Sequence, residues 1–142
     1  MDQESLKAAS VLAAIANSNY QMSCFADGLR QSKDVAKVSV DLECARNSNY
    51  FDYGIGSPYL FNWYVDITLA DDRSFAVIIE LFWNDDEWFV ESRIETPGEN
   101  GPHSLVEIPE CHAIGIEDLI EALTDSTTYI IKAAKGAIPV RV

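Results

Sequence analysis

The stretch that decides the fold is residues 61–95, which read FNWYVDITLADDRSFAVIIELFWNDDEWFVESRIE. Apolar and polar residues alternate in three runs, and two short acidic turns separate the runs. A period of two is typical of β-strands, whose successive side chains point to opposite faces. Two tight connections between three such runs predict an antiparallel meander over about 61–95. Because Ile78 and Phe82 make the middle run apolar on both faces, we predict that this run is the central strand.

Weaker strand signals lie on both sides of the meander. Residues 38–44 repeat the alternation and predict one further strand. Residues 96–102 are rich in proline and glycine and predict a loop, and residues 105–108 predict a short last strand that Pro109 ends. The sheet is therefore predicted to have four or five antiparallel strands.

Helical patterns lie near both ends of the chain. Asp2 precedes an apolar stripe that predicts a helix, and the polar residues 17–19 predict an interruption before a further turn or two. Residues 116–135 predict a second helix, which residues 124–128 weaken and Gly136 ends. We therefore predict one α+β domain over residues 1–142, with the N-terminal and C-terminal helices packed on one face of the sheet.

Charge is the main feature of the composition. The 142 residues include 23 acidic and 10 basic side chains, a net charge of −13. Residues 47–131 hold 17 of the acids and only two bases, Arg73 and Arg93, whereas residues 132–142 hold three bases and no acid. Such a field attracts basic proteins and repels nucleic acid and anionic membranes, so a basic protein is the expected partner. The alternative is that the charge serves solubility alone.

The expected location is the cytoplasm. No apolar stretch approaches the roughly 20 residues that cross a bilayer. Asp2 and Glu4 precede the first apolar run, where a secretion signal would carry positive charge. The three cysteines are odd in number and form no CxxC pair, a pattern that predicts neither a disulfide framework nor a zinc site.

Side chains suited to catalysis are few. His103 lies in the predicted loop, and His112 adjoins Cys111, whose side chain would point to the opposite face of an extended segment. The sequence contains no phosphate-binding loop, dinucleotide-binding motif or nucleophile elbow. We therefore predict no catalytic residue, no metal site and no cofactor.

Carboxylates on the predicted strands leave one catalytic alternative open. Asp66, Glu80 and Glu91 fall on neighbouring strands, and two of them would face each other beside Arg93. Such a pair performs acid–base chemistry only where burial separates the two pKa values. Ordinary charge pairing across a solvated sheet face is the preferred interpretation.

Aromatic residues suggest a binding surface. Seven of the fifteen aromatics fall within residues 50–64, and four of these precede the predicted strand. Tyrosine and tryptophan side chains on loops often anchor protein interfaces, although the same rings would also serve to cap a core. Combined with the acidic turns, they give the candidate partner-binding residues Tyr50, Phe51, Asp52, Tyr53, Tyr59, Asp71, Asp72, Asp85, Asp86 and Glu87.

These features favour a non-catalytic binding protein that neutralises or escorts a basic partner. The most concrete form is an immunity protein or antitoxin that blocks a cationic toxin such as a nuclease, as a monomer or a homodimer. One alternative is a small-molecule binder or enzyme with a pocket lined by Trp63, Trp83, Trp88 and Tyr64, in which Asp66 or His103 would supply a polar group. Another alternative is a secretion-type chaperone, which would normally be a dimer.

Overall fold

The computed structural model describes residues 2–44, 59–84 and 87–141. It contains an antiparallel five-stranded sheet, and the strands neighbour one another in chain order. In order along the chain, the elements are α1 (Gln3–Arg30), β1 (Val35–Cys44), β2 (Tyr59–Leu69), β3 (Ser74–Asn84), β4 (Glu87–Gly98), β5 (Gly101–Ala113) and α2 (Ile116–Ala137). Helix α1 packs on β1 and β2, and α2 packs on β3, β4 and β5, on the same side of the sheet. The predicted α+β layout is confirmed.

The central strand is β3, as predicted. Val77 and Ile79 point toward the helices and are fully buried in the main hydrophobic core. Ile78 points to the opposite side, yet only 2% of it is exposed. In the strand register Ile78 lies between Tyr64 of β2 and Arg93 of β4, whose long side chains flank it. The side of the sheet without helices therefore has a small apolar centre of its own.

Strand β5 is longer than predicted, and the predicted loop at residues 96–102 is wrong. Strands β4 and β5 are joined by two residues, with Gly98 paired to Gly101. Gly101 has φ +117°, and a Cβ at Gly98 would lie 2.8 Å from the Gly101 carbonyl oxygen, so this turn needs both glycines. The strand also passes through Pro109, because β5 is an edge strand and its register breaks beside that residue.

Helix α1 is continuous, so the predicted interruption at residues 17–19 is wrong. The start is as predicted, since the Asp2 carboxylate accepts a 2.7 Å hydrogen bond from the Ser5 amide. Ser18 is buried, and its hydroxyl lies 3.0 Å from that of Thr127 in α2. A tertiary contact therefore satisfies a side chain that would otherwise compete with the helical backbone.

Helix α2 is also continuous, and the predicted weakness at residues 124–128 causes no break. The hydroxyls of Thr124, Thr127 and Thr128 each donate to the carbonyl oxygen four residues earlier. The helix runs past Gly136 to Ala137, two residues beyond the predicted end. No helix of the described residues is long and apolar enough to cross a membrane.

The two helices run in the same direction with a constant offset. Ser18 contacts Thr127, and farther along the Ser32 hydroxyl donates to the Arg141 carbonyl oxygen, each pair being 109 residues apart. The C-terminal ends of both helices therefore lie together at the end of the sheet that carries the β2–β3 turn.

Candidate functional site: the open face of the sheet

The face of the sheet without helices, called here the open face, is organised in rows that cross the strands. The register places three rows side by side. An aromatic row contains Phe82, Phe89 and His112; a carboxylate row contains Asn62, Glu80, Glu91 and Glu110; and an arginine row contains Asp41, Tyr64, Ile78, Arg93 and Glu107. These rows arise because every second residue of a strand points to the same face. Alternation along each strand therefore places side chains of neighbouring strands in rows across the open face.

Arg93 is neutralised from within the open face. Its Nη2 lies 2.7 Å from Glu80 Oε1, and its Nε lies 2.5 Å from Glu95 Oε1. Partial burial alone would lower the pKa of Arg93, but the hydrogen bonds to Glu80 and Glu95 outweigh that effect and raise the pKa above its usual value. The guanidinium is therefore paired with two of the carboxylates of the open face.

The remaining carboxylates make the open face strongly acidic. Glu91 and Glu110 lie close together, because the register break between Val90 and Ser92 brings Glu110 opposite Glu91. Burial, the hydrogen bond to Glu110, and the charges of Glu110 and Glu80 raise the pKa of Glu91 to about 7. A carboxyl group of this kind holds a proton that a bound cation would displace. Asp66, with its pKa raised by burial and by Asp41, extends the acidic surface toward β1.

The aromatic row lies directly beside these carboxylates. Phe82 and Phe89 are stacked almost parallel, with ring centroids 5.5 Å apart, and the His112 ring contacts Phe89 edge-on at 4.4 Å. His112 Nε2 lies 2.9 Å from Glu110 Oε1, and its Nδ1 lies 3.4 Å from Glu87 Oε2. The row therefore offers a partly exposed aromatic surface edged by negative charge, the pairing of features that protein interfaces use for anchors.

Asn62 supplies an unsatisfied acceptor on the same face. Only 1% of Asn62 is exposed; its Nδ2 donates to the Tyr64 hydroxyl at 2.8 Å, and its Oδ1 has no hydrogen-bond partner. A buried acceptor without a donor costs about 1–3 kcal/mol. This cost falls on the folded protein, because Oδ1 is itself buried.

The predicted partner-binding residues do not form one surface. Glu87 begins β4 beside His112, and Tyr59 begins β2 opposite Phe82 in the backbone register, so both belong to the end of the sheet with the aromatic row. Asp71 and Asp72 lie in the β2–β3 turn at the other end, about 35 Å away along the 11 residues of β3. Tyr50, Phe51, Asp52, Tyr53, Asp85 and Asp86 lie outside the described residues, as does the side chain of Tyr59.

Asp71 is engaged locally rather than offered to a ligand. Its Oδ2 lies 2.8 Å from Arg73 Nη2, and the side-chain hydrogen bond from Arg73 lowers the pKa of Asp71. Asp72 follows with φ 71°, so this turn is a compact connection between β2 and β3. The turn is separate from the acidic rows of the open face.

Trp63 and Tyr64, two of the four residues predicted to line an aromatic pocket, do not share a pocket. Trp63 is fully buried on the helix side of the sheet, whereas Tyr64 lies on the open face next to Asn62. Trp88 packs against the helix-side core, and the side chain of Trp83 lies outside the described part of the chain. His103, the suggested polar group, lies in β5 opposite Thr96 rather than in a loop.

Three members of the acidic site were missed by sequence reasoning. Glu110 and His112 join the open face only because β5 runs past Pro109 to Ala113, whereas Glu107 lies within the strand predicted over residues 105–108. The prediction that Cys111 and His112 point to opposite faces is confirmed: Cys111 packs against the core near Ser126, and His112 packs on Phe89. Among residues 2–44, 59–84 and 87–141, no three histidine, cysteine or acidic side chains are grouped as metal ligands would be.

Comparison with protein families, with curated proteins and with solved structures finds no match to this chain.

Proposed function

We propose that this protein is a non-catalytic binding protein that neutralises or escorts a basic protein partner through its open face. In its most concrete form it inhibits a cationic toxin such as a nuclease, whose phosphate-binding surface would accept the carboxylates. The observation that carries this proposal is the row of Glu80, Glu91 and Glu110 beside the stacked Phe82 and Phe89.

The dimensions of the open face support a protein as the ligand. Four strand spacings give a width of roughly 19 Å, and ten residues of strand give a length of roughly 33 Å. The resulting area of roughly 600 Å² approaches the 800 Å² or so that each partner contributes to a standard protein interface. A surface of this area suits a protein as the ligand.

The electrostatics support a basic ligand. Eight carboxylates point to the open face in the described strands, at residues 41, 66, 80, 87, 91, 95, 107 and 110. Arg93 is bound to two of them, and Lys37 lies at the margin in β1. A surface with this imbalance accelerates the association of a cationic partner and does so most at low salt.

The test compares two double charge reversals of equal net charge. Glu107→Lys with Glu110→Lys alters the open face, and Glu121→Lys with Asp125→Lys alters exposed positions of α2. Tagged wild-type protein and both variants are incubated with lysate of the native host and washed at low and at high salt, and bound proteins are identified by mass spectrometry. We expect one basic protein bound stoichiometrically by the wild type and the α2 variant, and lost from the open-face variant.

Two results would contradict the proposal. Equal loss from both variants would mean that net charge alone attracts the partner, and recovery of an acidic or neutral partner would remove the electrostatic argument. Association rates measured with the purified partner provide the second arm. The wild type should lose at least tenfold in rate between low and physiological salt, while the open-face variant should start slow and change little.

A further inference from the structure

A groove of about 630 Å³ lies in the helical layer, on the side of the molecule away from the open face. Tyr20, Cys24 and Gly28 of α1 form one wall, and Ile131 and Lys135 of α2 form the other. The floor is the apolar core, where Phe25, Leu29, Ala134 and Ile138 are buried. This volume falls within the range of about 300–1,000 Å³ that small-molecule sites occupy.

The lining of the groove is apolar and contains no acidic residue, although the chain has 23. Most of its α1 wall belongs to residues 8–26, a run of the helix without any charged side chain. Among the residues that the structure describes, Lys135 is the single charged one that lines it. A Cβ added at Gly28 would meet no atom within 4 Å, so this part of the wall is open space rather than close packing.

The charge around the groove is opposite to that of the rest of the chain. The two segments that meet there, residues 27–40 and 129–141, carry six of the ten bases and two acids, Asp27 and Asp34, and Asp27 is paired with Arg30. Their net charge is +4, and the remaining residues total −17, which together give the −13 of the whole chain. An anion is therefore attracted to this end of the helical layer and repelled elsewhere.

From this combination we propose that the groove binds a single-chain amphipathic anion, such as a long-chain carboxylate. The apolar tail lies on the floor between Phe25 and Ile131, and the carboxylate lies at the rim beside Lys135. The tail would leave water for the mostly apolar lining of the groove, and its own burial supplies most of the binding energy. The charge at the rim selects an anionic head over a cationic one. This site is independent of the open face and of its basic partner.

Cys24 lies at the mouth of the groove and provides a local reporter. In a Cys44→Ser, Cys111→Ser background, the rate of reaction of Cys24 with a thiol reagent is measured against added dodecanoate below its micellar concentration. Dodecylammonium provides the control of opposite charge. We expect dodecanoate to slow the reaction at least tenfold, saturably and at one ligand per chain, and dodecylammonium to have little effect.

Matched glycine substitutions locate the binding. Gly28→Leu fills the groove, whereas Gly136→Leu places the same side chain in equally open space on α2 outside the lining. Calorimetric titration should show at least tenfold weaker dodecanoate binding for Gly28→Leu and unchanged binding for Gly136→Leu. Lys135→Gln should weaken binding of the carboxylate about tenfold without weakening that of dodecanol. Circular dichroism confirms that each variant is folded.

Four outcomes would overturn the proposal. These are absence of protection at Cys24, equal protection by both amphiphiles, binding only to vesicles of anionic lipid, and a dimer that Gly28→Leu dissociates while dodecanoate has no effect. The third would assign the end of the helical layer to a membrane surface, and the fourth would assign the groove to a second copy of this chain. Sedimentation velocity and vesicle flotation separate these cases from binding of a free amphiphile.

Discussion

The two faces of the sheet differ in how their side chains are stabilised. On the helix side, Trp63, Val77 and Ile94 are fully buried in a continuous apolar core. On the open face, adjacent residues of the same strands are carboxylates, an arginine and an asparagine, and they are held by pairing rather than by exclusion of water. Most of the folding stability therefore comes from packing on the helix side, while the open face carries the charged side chains.

Charge also differs between the open face and the groove between the helices. Carboxylates dominate the open face, whereas Lys135 is the charged residue that the described part of the chain contributes to the groove lining. A protein of net charge −13 therefore has a region that attracts anions as well as one that attracts cations.

Two neighbouring isoleucines of β3 give the sharpest test of the difference in stability. Ile79→Ala removes a fully buried side chain from the helix-side core and should reduce the free energy of unfolding by about 3–4 kcal/mol. Ile78→Ala makes the same deletion on the open face, where Tyr64 and Arg93 can close over the space, and should cost about half as much. Urea unfolding of both variants measures the difference. Equal losses of stability would show that the two faces contribute equally at these positions.

Removal of the Arg93 guanidinium should have the next largest effect. Arg93→Met keeps most of the aliphatic stem but leaves Glu80 and Glu95 without their cation, at a cost of about 2 kcal/mol. Arg73→Met is the control, because its bridge to Asp71 is exposed and contributes at most about 0.5 kcal/mol. Similar losses for the two variants in urea unfolding would show that the open face is no better organised than an ordinary surface turn.

Protonation of Glu91 should make stability depend on pH. Its pKa is about 7 in the folded protein and 4.5 when unperturbed, so the folded state binds more protons between these values. The contribution of Glu91 to the free energy of unfolding is therefore fully present below pH 4.5 and is lost as the pH rises toward 7. Because the group is partly solvated, screening reduces the effect to about 1 kcal/mol. Glu91→Gln should match the wild type near pH 5 and exceed its stability at pH 8 by that amount.

The measurement for Glu91 is thermal or urea unfolding of both proteins over pH 5–8. Glu110 and Glu80 raise the pKa and Arg93 lowers it, so Glu110→Gln should reduce the same slope. An identical pH profile for wild type and Glu91→Gln would show that the two carboxyl groups do not share a proton.

Substitution in the β2–β3 turn should have the smallest effect on stability, since the turn belongs to none of the three rows of the open face. Asp71→Asn loses an exposed bridge to Arg73 and should change stability by less than about 0.5 kcal/mol. Because the turn lies at the end of β3 remote from Phe82, the substitution should also leave the partner's association rate within about twofold of the wild type. A larger fall in that rate, measured by stopped flow or surface plasmon resonance, would extend the interface to this end.

Alternation predicted the meander and the facing of its side chains, since a period of two decides which residues share a face. It placed Glu80, Glu91 and Arg93 together, and the register confirms that Glu80 lies opposite Glu91. The extent of β5 escaped prediction because Pro109 reads as a terminator, although an edge strand with a register break tolerates it. Glu110 was therefore missed as the neighbour of Glu91, since sequence alone does not place a bulge.

The helices show the same limit of local reasoning. Asp2 and its hydrogen bond to Ser5 follow from residues three apart and were predictable. The continuity of α1 through Ser18 depends on Thr127, which is 109 residues away, and no local pattern contains that information. Long-range contacts override intrinsic propensity in this way wherever a polar side chain finds a buried partner.

Because the contacting residues of the two helices are 109 positions apart in the chain, α1 is synthesised well before the helix against which it packs. Each strand pairs only with its neighbour in the chain, so the sheet can form on the ribosome as its hairpins emerge. Helix α1 leaves first, but at roughly 5–20 residues per second it waits on the order of 5–20 s for α2. During that interval Ser18 lacks its partner Thr127, and the side of α1 that faces α2 in the folded protein is uncovered until residues 116–137 are synthesised.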